Sequence, residues 1–330
     1  MHDNPRTRRR RRTFVWSVLV AVVTMVGAGA GWVPGVTGQA SASPIDPRPA
    51  AGCPSLRAGD TITRSVTVRG VHRTYRIHVP ADHTGRQRLP LVLAFHGRAE
   101  RGATFERYTG LSSLPAITVY PDGLRGTDNR TAWQGAPYSS PRADDIAFTR
   151  AILGAVRTSA CVDRNRTYAV GRSNGGGLVA MLACRMPREF TGFATISAAI
   201  YTRTLQGCSH GPPISLVDFH GTADGVIHYG GGTRFHARYL STPAWLRTWS
   251  TRAGCADTTV TIPLNSVVDR VSWPFCAQSG HAIVHYRIRG GTHRWPGSMG
   301  NRVLGSSADT VSATQLLWQF FMTHPRYGSS

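Results

Sequence analysis

The 330-residue sequence contains no lysine, so all 38 of its basic side chains are arginines. It has only 17 carboxylates, which leaves a formal charge of +21 at pH 7. After residue 42 there is no dense basic run with interleaved aromatic residues, and this argues against nucleic-acid binding. The excess of arginine fits either attraction to anionic envelope polymers or simple solubility.

Spacing that would indicate a metal or redox centre is also missing. None of the six cysteines forms a C-x-x-C pair, and no cluster of His, Asp and Glu has ligand spacing, so we predict no metal site and no cofactor. Hydrophobic content of 41% with 17% charged residues is typical of a globular chain, not a disordered one.

The N-terminus has the features of an export signal. A basic head that ends at Arg12 precedes an apolar stretch from Phe14 to about Val33 and the small residues Ala40–Ala42. The pair Arg11-Arg12 resembles the twin-arginine pattern, and a general secretory signal is the alternative. Gly27–Gly31 dilutes the apolar stretch, which disfavours a permanent anchor. We therefore predict removal of this segment through residue 42, secretion, and no stable membrane insertion afterwards.

An even number of cysteines in an exported chain predicts disulfides. Closeness in the sequence favours Cys184–Cys208 and Cys255–Cys276, which leaves Cys53–Cys161. Six cysteines allow many other connectivities, so these three pairs are one choice among several.

The remaining chain shows no linker and no internal repeat, so we expect one domain over residues 61–330 after a loose leader over residues 43–60. Apolar alternation predicts a hairpin over Thr61–Val79 that turns at Arg69-Gly70. Strands that alternate with helices predict the α/β class, with a single, mostly parallel sheet covered on both faces. Further predicted strands are Leu89–Phe95, Ala116–Tyr120, Phe193–Ser197, Ile214–His220 and Ala282–Ile288, and predicted helices run from Asp144 or Asp145 to about Ser159 and from about Ser307 to Met322.

The pattern Gly171-x-Ser173-x-Gly175 lies between an apolar strand and an apolar helix. This is the context of a nucleophile elbow, in which glycines let the chain turn tightly enough to expose a serine oxygen above a sheet. The same pattern recurs at Gly207–Gly211, but it has no clear strand before it and runs into Pro212-Pro213, where no helix can propagate. We predict that Ser173 is a nucleophile and that Ser209 is a chance match.

A serine nucleophile needs a base, usually a histidine that a carboxylate orients. On this type of sheet the order along the chain is serine, acid, histidine, with each residue following a strand. Asp224 follows the strand that ends at His220, and His293 follows the last strand, so these two complete the predicted triad. Competing residues lie inside a strand, at its wrong end or before the acid: Asp218, His220, His281 and His285.

An acyl-transfer intermediate also needs two fixed N–H donors for its oxyanion. Asn174, directly after the nucleophile, is expected to supply one, and Arg98 the other, with Gly97 as the alternative. Aromatic residues that we predict to line an acyl or sugar pocket are Trp133, Tyr229 and Trp295.

Four short motifs follow one another along the chain: Tyr-Pro-Asp-Gly at 120–123, Ser-Asn-Gly-Gly at 173–176, His-Gly-Thr-Ala-Asp at 220–224 and His-Arg-Trp-Pro-Gly at 293–297. In this order they resemble the secreted polyhydroxybutyrate depolymerase and feruloyl esterase family of α/β-hydrolases. The resemblance covers about residues 60–322 and implies a serine esterase with the α/β-hydrolase fold. Thr292 stands where that family usually has glycine, which removes no catalytic group.

The sequence thus predicts an exported carboxylic-ester hydrolase. Depolymerases of solid polyester typically carry a further polymer-binding domain, and this chain ends soon after its last predicted helix. Hydroxyalkanoate oligoesters, or feruloyl and acetyl esters of polysaccharide, are therefore the expected substrates. Two alternatives stay open: an acyltransferase or peptidase on the same fold, and a catalytically inactive basic protein that binds the cell envelope. Neither the acyl and alcohol groups nor the oligomeric state follows from the sequence.

Overall fold

The chain forms a ten-stranded sheet with helices on both faces, as the α/β prediction requires. The structure is a computed structural model that describes residues 56–84, 87–208, 210–277, 280–298 and 311–325. In chain order the strands and helices are β1 (Thr61–Val68), β2 (Val71–His78), β3 (Leu89–Phe95), α1 (Gly102–Thr109), β4 (Ile117–Pro121), β5 (Leu124–Arg125), β6 (Thr131–Ala132), α2 (Asp145–Ser159), β7 (Val162–Arg172), α3 (Asn174–Arg185), β8 (Gly192–Ile196), β9 (Leu216–Gly221), β10 (Gly232–Arg234), β11 (Ala237–Tyr239), α4 (Thr242–Arg252), β12 (Val260–Pro263), β13 (Val268–Ser272), β14 (Ile283–Ile288) and α5 (Ala313–Thr323). Short 3-10 helices cover Leu111–Ser113 and Thr202–Leu205.

The strand order in the large sheet is β1-β2-β4-β3-β7-β8-β9-β14-β13-β12. Its six central strands, from β4 to β14, are parallel to one another. Antiparallel pairs flank them at each edge, β1 with β2 and β12 with β13. Because the carboxyl ends of parallel strands share one rim, the segments that follow β3, β7, β9 and β14 meet there.

Both faces of the sheet are covered, which explains why its central strands are continuous apolar runs. Side chains alternate across β3: Leu91 and Leu93 pack in the core cluster that includes α2, α3 and α4, and Val92 and Ala94 pack in the cluster that includes α1 and α5. All four are fully buried. The predicted fold class, an α/β protein with a doubly covered and mostly parallel sheet, is confirmed.

Capping residues set the ends of the predicted helices. Asp144 caps α2, since its carboxylate accepts a hydrogen bond from the Ala147 N–H. The last helix begins at Ala313, later than the predicted Ser307, because the Ser312 side chain caps it there. Elements that the sequence analysis did not predict are α1, α4, the short pair β5 and β6, the hairpin of β10 and β11, and the edge strands β12 and β13.

Two of the three predicted disulfides are present, Cys184–Cys208 and Cys255–Cys276. The third pairing involves Cys53, which lies outside the described residues. Cys184 is near the end of α3, and Cys208 follows the 3-10 helix Thr202–Leu205. The Cys184–Cys208 bond therefore ties the helix of the elbow to the segment that begins at Tyr201.

The described residues belong to a single compact unit, residues 47–330. The predicted export signal and most of the predicted leader lie outside them and stay predictions, as does Ser209 of the second glycine–serine pattern. None of the helices in the described ranges combines the length and the apolar character needed to cross a bilayer.

Candidate active site

Ser173 occupies a tight turn between β7 and α3, with φ 55° and ψ −120°. A Cβ atom on Gly171 would lie 2.3 Å from the Gly175 carbonyl oxygen, and one on Gly175 would lie 2.1 Å from the Phe95 carbonyl oxygen. Only glycine fits at these two positions, which explains the Gly-x-Ser-x-Gly pattern. The Ser173 N–H donates to the Ile196 carbonyl oxygen at 2.9 Å, and this bond holds the turn against β8. The first turn of α3 starts directly after the serine, which favours negative charge near it.

Asp224 and His293 lie in the segments after β9 and β14, and the structure brings them together. His293 Nδ1 is 2.7 Å from Asp224 Oδ2. The other oxygen, Asp224 Oδ1, accepts the N–H groups of Val226 and Ile227 at 2.8 and 2.9 Å. These bonds fix the carboxylate, and the carboxylate in turn orients the imidazole with Nε2 left for another partner.

Ser173 and His293 border the same cleft, which has a volume of about 200 Å³. No hydrogen bond joins the Ser173 hydroxyl to the His293 ring, although both residues are described by the structure. Hydrogen bonds of this kind often tighten only in the complex with substrate. The arrangement can therefore support acyl transfer once a carbonyl group enters the cleft.

The environment favours a charged Asp224 and a neutral His293. Burial opposes ionisation of Asp224, but hydrogen bonds from His220 and His293 outweigh it, so the pKa of the carboxyl is below its ordinary value. Burial lowers the pKa of His293; its bond to Asp224 opposes that effect, and the positive charge of Arg172 adds to it. A neutral imidazole is the form that can accept a proton.

His220, which the sequence analysis excluded from the triad, contacts the Asp224 carboxylate from the buried side of the site. Its Nε2 is 3.3 Å from Asp224 Oδ2 and 2.8 Å from the Ile227 carbonyl oxygen, while Nδ1 is 3.0 Å from Thr242 Oγ1. Burial works against a charged imidazole, yet the bond to Asp224 and nearby carboxylates raise the pKa of His220 overall. Its position inside a strand gave no sign of this contact.

The two candidates for the second oxyanion donor differ in the structure. The Gly97 N–H already donates to Glu100 Oε2 at 3.0 Å, so it is occupied. The backbone N–H groups of Arg98 and Asn174 have no acceptor among the described residues. Asn174 and Arg98 therefore remain the proposed donors, and Gly97 is set aside because a carboxylate occupies its N–H.

The three aromatic residues predicted to line an acyl or sugar pocket are not among the residues that border this cleft. Trp133 is fully buried; its backbone N–H donates to Asn174 Oδ1 at 2.7 Å and its ring Nε1 donates to the His96 carbonyl oxygen at 2.8 Å. Trp133 thus braces the elbow and the segment after β3 from behind. Its place in a loop beside functional motifs was misleading, because this loop is part of the core.

Trp295 and Tyr229 have similar supporting positions. Trp295 is 2% exposed, and its Nε1 donates to Thr314 Oγ1 at 3.1 Å, which fixes the His293 segment against α5. Tyr229 is half-buried with its hydroxyl 2.9 Å from His285 Nε2. The His285 ring is also 2.9 Å from the Asp218 carboxylate, so Tyr229 contacts a separate buried pair formed by His285 and Asp218.

Arg172, the residue before the serine, joins three segments of the site. Its Nη1 is 2.7 Å from Glu100 Oε1, and its Nη2 donates to the His293 carbonyl oxygen at 2.7 Å. Glu100 Oε2 in turn accepts the Gly97 N–H and the Tyr108 hydroxyl, each at 3.0 Å. We call Arg172 and Glu100 the clamp. It connects the elbow, the segment after β3 and the segment that carries His293.

Replacement of Arg172 by methionine should lower kcat/KM about 10- to 100-fold, because the histidine segment loses an anchor. It should also raise the pKa of His293, since the positive charge near the ring is removed and the Glu100 carboxylate is left without its partner. A base must be neutral to act, so the acidic limb of the kcat/KM profile should move to higher pH. A pH–rate profile of both proteins measures this.

Arg172→Lys is the matched control. It keeps the charge, so the acidic limb should stay close to that of the wild type, while one ammonium group cannot hold both Glu100 and the His293 carbonyl and kcat/KM should still fall. The position of the limb does not depend on how much protein is folded. A methionine variant whose acidic limb coincides with the wild type would show that the clamp does not tune the base.

Among the described residues, no group of three or more His, Cys, Asp or Glu side chains is placed to hold a metal ion.

Comparison with known proteins gives relatives at moderate identity. No protein-family model matches the chain. It is 29% identical over 212 residues to feruloyl esterase D of Neurospora crassa, an alignment that covers 58% of this chain and 67% of the relative. It is 25% identical over 283 residues to feruloyl esterase C of Emericella nidulans, which covers 82% of this chain and 92% of the relative. The resemblance to feruloyl esterases seen in the sequence motifs is confirmed.

Solved structures agree on the fold. The chain superposes on acetyl xylan esterase from Aspergillus awamori with a TM-score of 0.53 and 12% identity, over 79% of this chain and 99% of that one. At this identity the likeness establishes the α/β-hydrolase fold alone.

Proposed function

Because the chain has the α/β-hydrolase fold and its relatives include feruloyl esterases, we propose that it is an exported carboxylic-ester hydrolase with Ser173 as its nucleophile. The observation that carries the proposal is the meeting of Ser173 and His293 at one cleft, with Asp224 bonded to the histidine. A strained serine turn, a buried carboxylate and a neutral imidazole at one rim are the parts that acyl transfer requires.

In the first half of the reaction, the Ser173 Oγ attacks the ester carbonyl carbon while His293 Nε2 accepts the hydroxyl proton. The Asp224 carboxylate holds the Nδ1–H and stabilises the imidazolium that forms. The carbonyl oxygen becomes an oxyanion and accepts hydrogen bonds from the N–H groups of Asn174 and Arg98. Collapse of this intermediate breaks the ester C–O bond, and His293 donates its proton to the departing alcohol.

In the second half, a water molecule attacks the acyl–serine ester while His293 Nε2 takes its proton. The same N–H groups hold the second oxyanion. Collapse releases the acid, and the proton returns to the Ser173 oxygen. Asp224 stays ionised throughout, in agreement with the lowered pKa of its carboxyl group.

The proposed route out of the cell is the N-terminal segment, read as a twin-arginine or general secretory signal through residue 42. The two disulfides support an oxidising destination. Feruloyl esters, acetyl esters of polysaccharide and hydroxyalkanoate oligoesters are the substrate classes to test.

The test combines covalent labelling with hydrolysis. We expect a fluorophosphonate probe to modify Ser173, located by peptide mass mapping, and the protein to hydrolyse p-nitrophenyl butyrate. Methyl ferulate, acetylated xylan and hydroxybutyrate oligomers then divide the substrate classes. A matched p-nitroanilide and an added sugar acceptor identify a peptidase or an acyltransferase.

The possible results distinguish the esterase from the alternative enzymes and from an inactive binding protein. Hydrolysis of esters in preference to the anilide, without acyl transfer to the sugar, supports the esterase. Faster anilide cleavage or transfer to the acceptor would overturn it in favour of the alternative enzymes. Absence of both labelling and turnover by folded protein would favour an inactive envelope-binding protein.

A further inference from the structure

The proposed reaction leaves part of the cleft unexplained. Beside Ser173 and His293, the cleft is bordered by Tyr138, Tyr201 and Arg234. None of these side chains has a part in proton transfer or oxyanion binding as proposed above. All three carry hydrogen-bond donors, whereas a cleft for a simple aliphatic acyl group needs an apolar lining.

The cationic groups at the cleft are unequally paired. Arg98 Nε is 2.9 Å from Asp128 Oδ2, and Arg172 Nη1 is 2.7 Å from Glu100 Oε1. Arg234 is exposed and has no carboxylate within ion-pair distance among the described residues. Its one hydrogen bond there is to a backbone carbonyl oxygen, 3.3 Å away. Each of the other two charges is offset by a carboxylate, so the Arg234 guanidinium leaves the cleft with one positive charge uncompensated.

Tyr201 adds an independent sign of a missing ligand. It is 1% exposed, and its hydroxyl makes no hydrogen bond of ordinary geometry to any residue that the structure describes, although the Tyr138 hydroxyl lies close enough to affect its pKa. Buried hydroxyl groups are nearly always satisfied, so an unsatisfied one at a cleft needs an explanation. Burial also raises the pKa of Tyr201 and that of Tyr138, and both phenols therefore stay protonated and able to donate.

The hairpin that carries Arg234 is held at the cleft despite its strain. Arg234 pairs with Ala237, so Phe235 and His236 form a two-residue turn with φ 51° and 57°. Turns of this type favour asparagine and glycine, and bulky residues there persist only when the surroundings fix them. The Phe235 ring contacts the Tyr138 ring at 4.8 Å, and the Arg98 guanidinium lies 4.8 Å from the Phe235 ring centre. These contacts keep Arg234 beside the cleft.

We propose that Arg234, Tyr201 and Tyr138 form a subsite for a carboxylate carried by the ester substrate, an inference that rests on the proposed esterase function. An anion there would accept hydrogen bonds from two phenols and pair with the unmatched guanidinium. The carboxylate can belong to the acyl part, as in a half-ester of a dicarboxylic acid, or to the alcohol part, as in an ester of a hydroxy acid. In both cases the subsite selects charged esters over neutral ones of the same shape.

The experiment measures a ratio of kcat/KM values for matched esters. For the acyl part, mono-p-nitrophenyl glutarate is compared with its neutral methyl ester. For the alcohol part, the butyrate ester of 3-hydroxybutyrate is compared with that of methyl 3-hydroxybutyrate. We expect a preference of about tenfold or more for the carboxylate in at least one pair, and a smaller preference at high salt.

Variants test whether the preference for charged esters arises from the subsite. Arg234→Gln should reduce the charged-to-neutral ratio about tenfold, and Tyr201→Phe should reduce it less. Arg238→Gln is the matched control: it removes the same charge from the same hairpin at an exposed position that does not border the cleft, and the ratio should not change.

Failure of the subsite and failure of the function give different results. Equal kcat/KM for charged and neutral esters in both pairs, or an equal loss of preference in the Arg238 and Arg234 variants, would overturn the subsite while leaving the esterase intact. Absence of turnover for every ester, together with no fluorophosphonate labelling, would overturn the function on which the subsite rests.

Discussion

Ser173→Ala is expected to lower ester hydrolysis by at least about 10⁴-fold and to abolish labelling by a fluorophosphonate probe. The reason is that the proposed mechanism forms its acyl intermediate on the Ser173 oxygen alone, whereas the surrounding N–H donors can still bind the ester. The variant should fold, because alanine retains the Cβ atom that already occupies this strained turn. Turnover of p-nitrophenyl butyrate and intact mass after labelling provide the two measurements.

Ser209→Ala is the matched control, since it lies in the second Gly-x-Ser-x-Gly sequence of the same chain. It should retain wild-type turnover and labelling. Persistent activity in the Ser173 variant, or equal losses in both, would remove Ser173 from the mechanism. Matching circular dichroism spectra would exclude misfolding as the cause of a loss.

Asp224→Asn should lower kcat/KM by about 10⁴-fold with little change in structure. The carboxylate now accepts the His293 Nδ1–H at 2.7 Å, and an amide group that presents its NH₂ there would favour the tautomer with Nε2 protonated. That tautomer cannot take the serine proton. Steady-state kinetics near neutral pH, where the wild-type imidazole is neutral, measure the loss.

Asp218→Asn provides a stringent comparison. Asp218 is equally buried, lies on the same β9 strand that leads to Asp224, and has its own histidine partner, His285, at 2.9 Å. It does not border the cleft, so we expect a far smaller loss of activity, accompanied by lower thermal stability. Comparable kinetic losses in the two variants would mean that burial of a carboxylate, and not its contact with His293, is what activity needs.

Residue order was enough to predict which side chains meet at the rim. Ser173 directly follows β7, and Asp224 and His293 lie in the segments just after β9 and β14; parallel strands of one sheet bring their carboxyl ends together. These features can be predicted from a single sequence because a turn glycine or an apolar run reflects the conformation of residues close together in the chain. The helix cap at Asp144 and the turn at Arg69-Gly70 were accessible for the same reason.

Contacts between segments that are far apart in the sequence could not be predicted from it. Nothing near Arg172 indicates that Glu100 and the His293 carbonyl oxygen will surround its guanidinium. Trp133 was misread because loops are usually exposed, whereas this one is packed between the elbow and the segment after β3. The β10–β11 hairpin escaped notice because Phe235 and His236 contradict ordinary turn preferences.

The bond between Cys184 and Cys208 has a practical consequence for laboratory production. It tethers the end of the elbow helix to the stretch that starts at Tyr201, so a reducing bacterial cytosol would leave that wall of the cleft secured by non-covalent contacts alone. Material made there should show weaker selectivity among esters before it shows any loss of the serine's own reactivity. Periplasmic expression, or refolding in a glutathione buffer, is the better source of enzyme for specificity work.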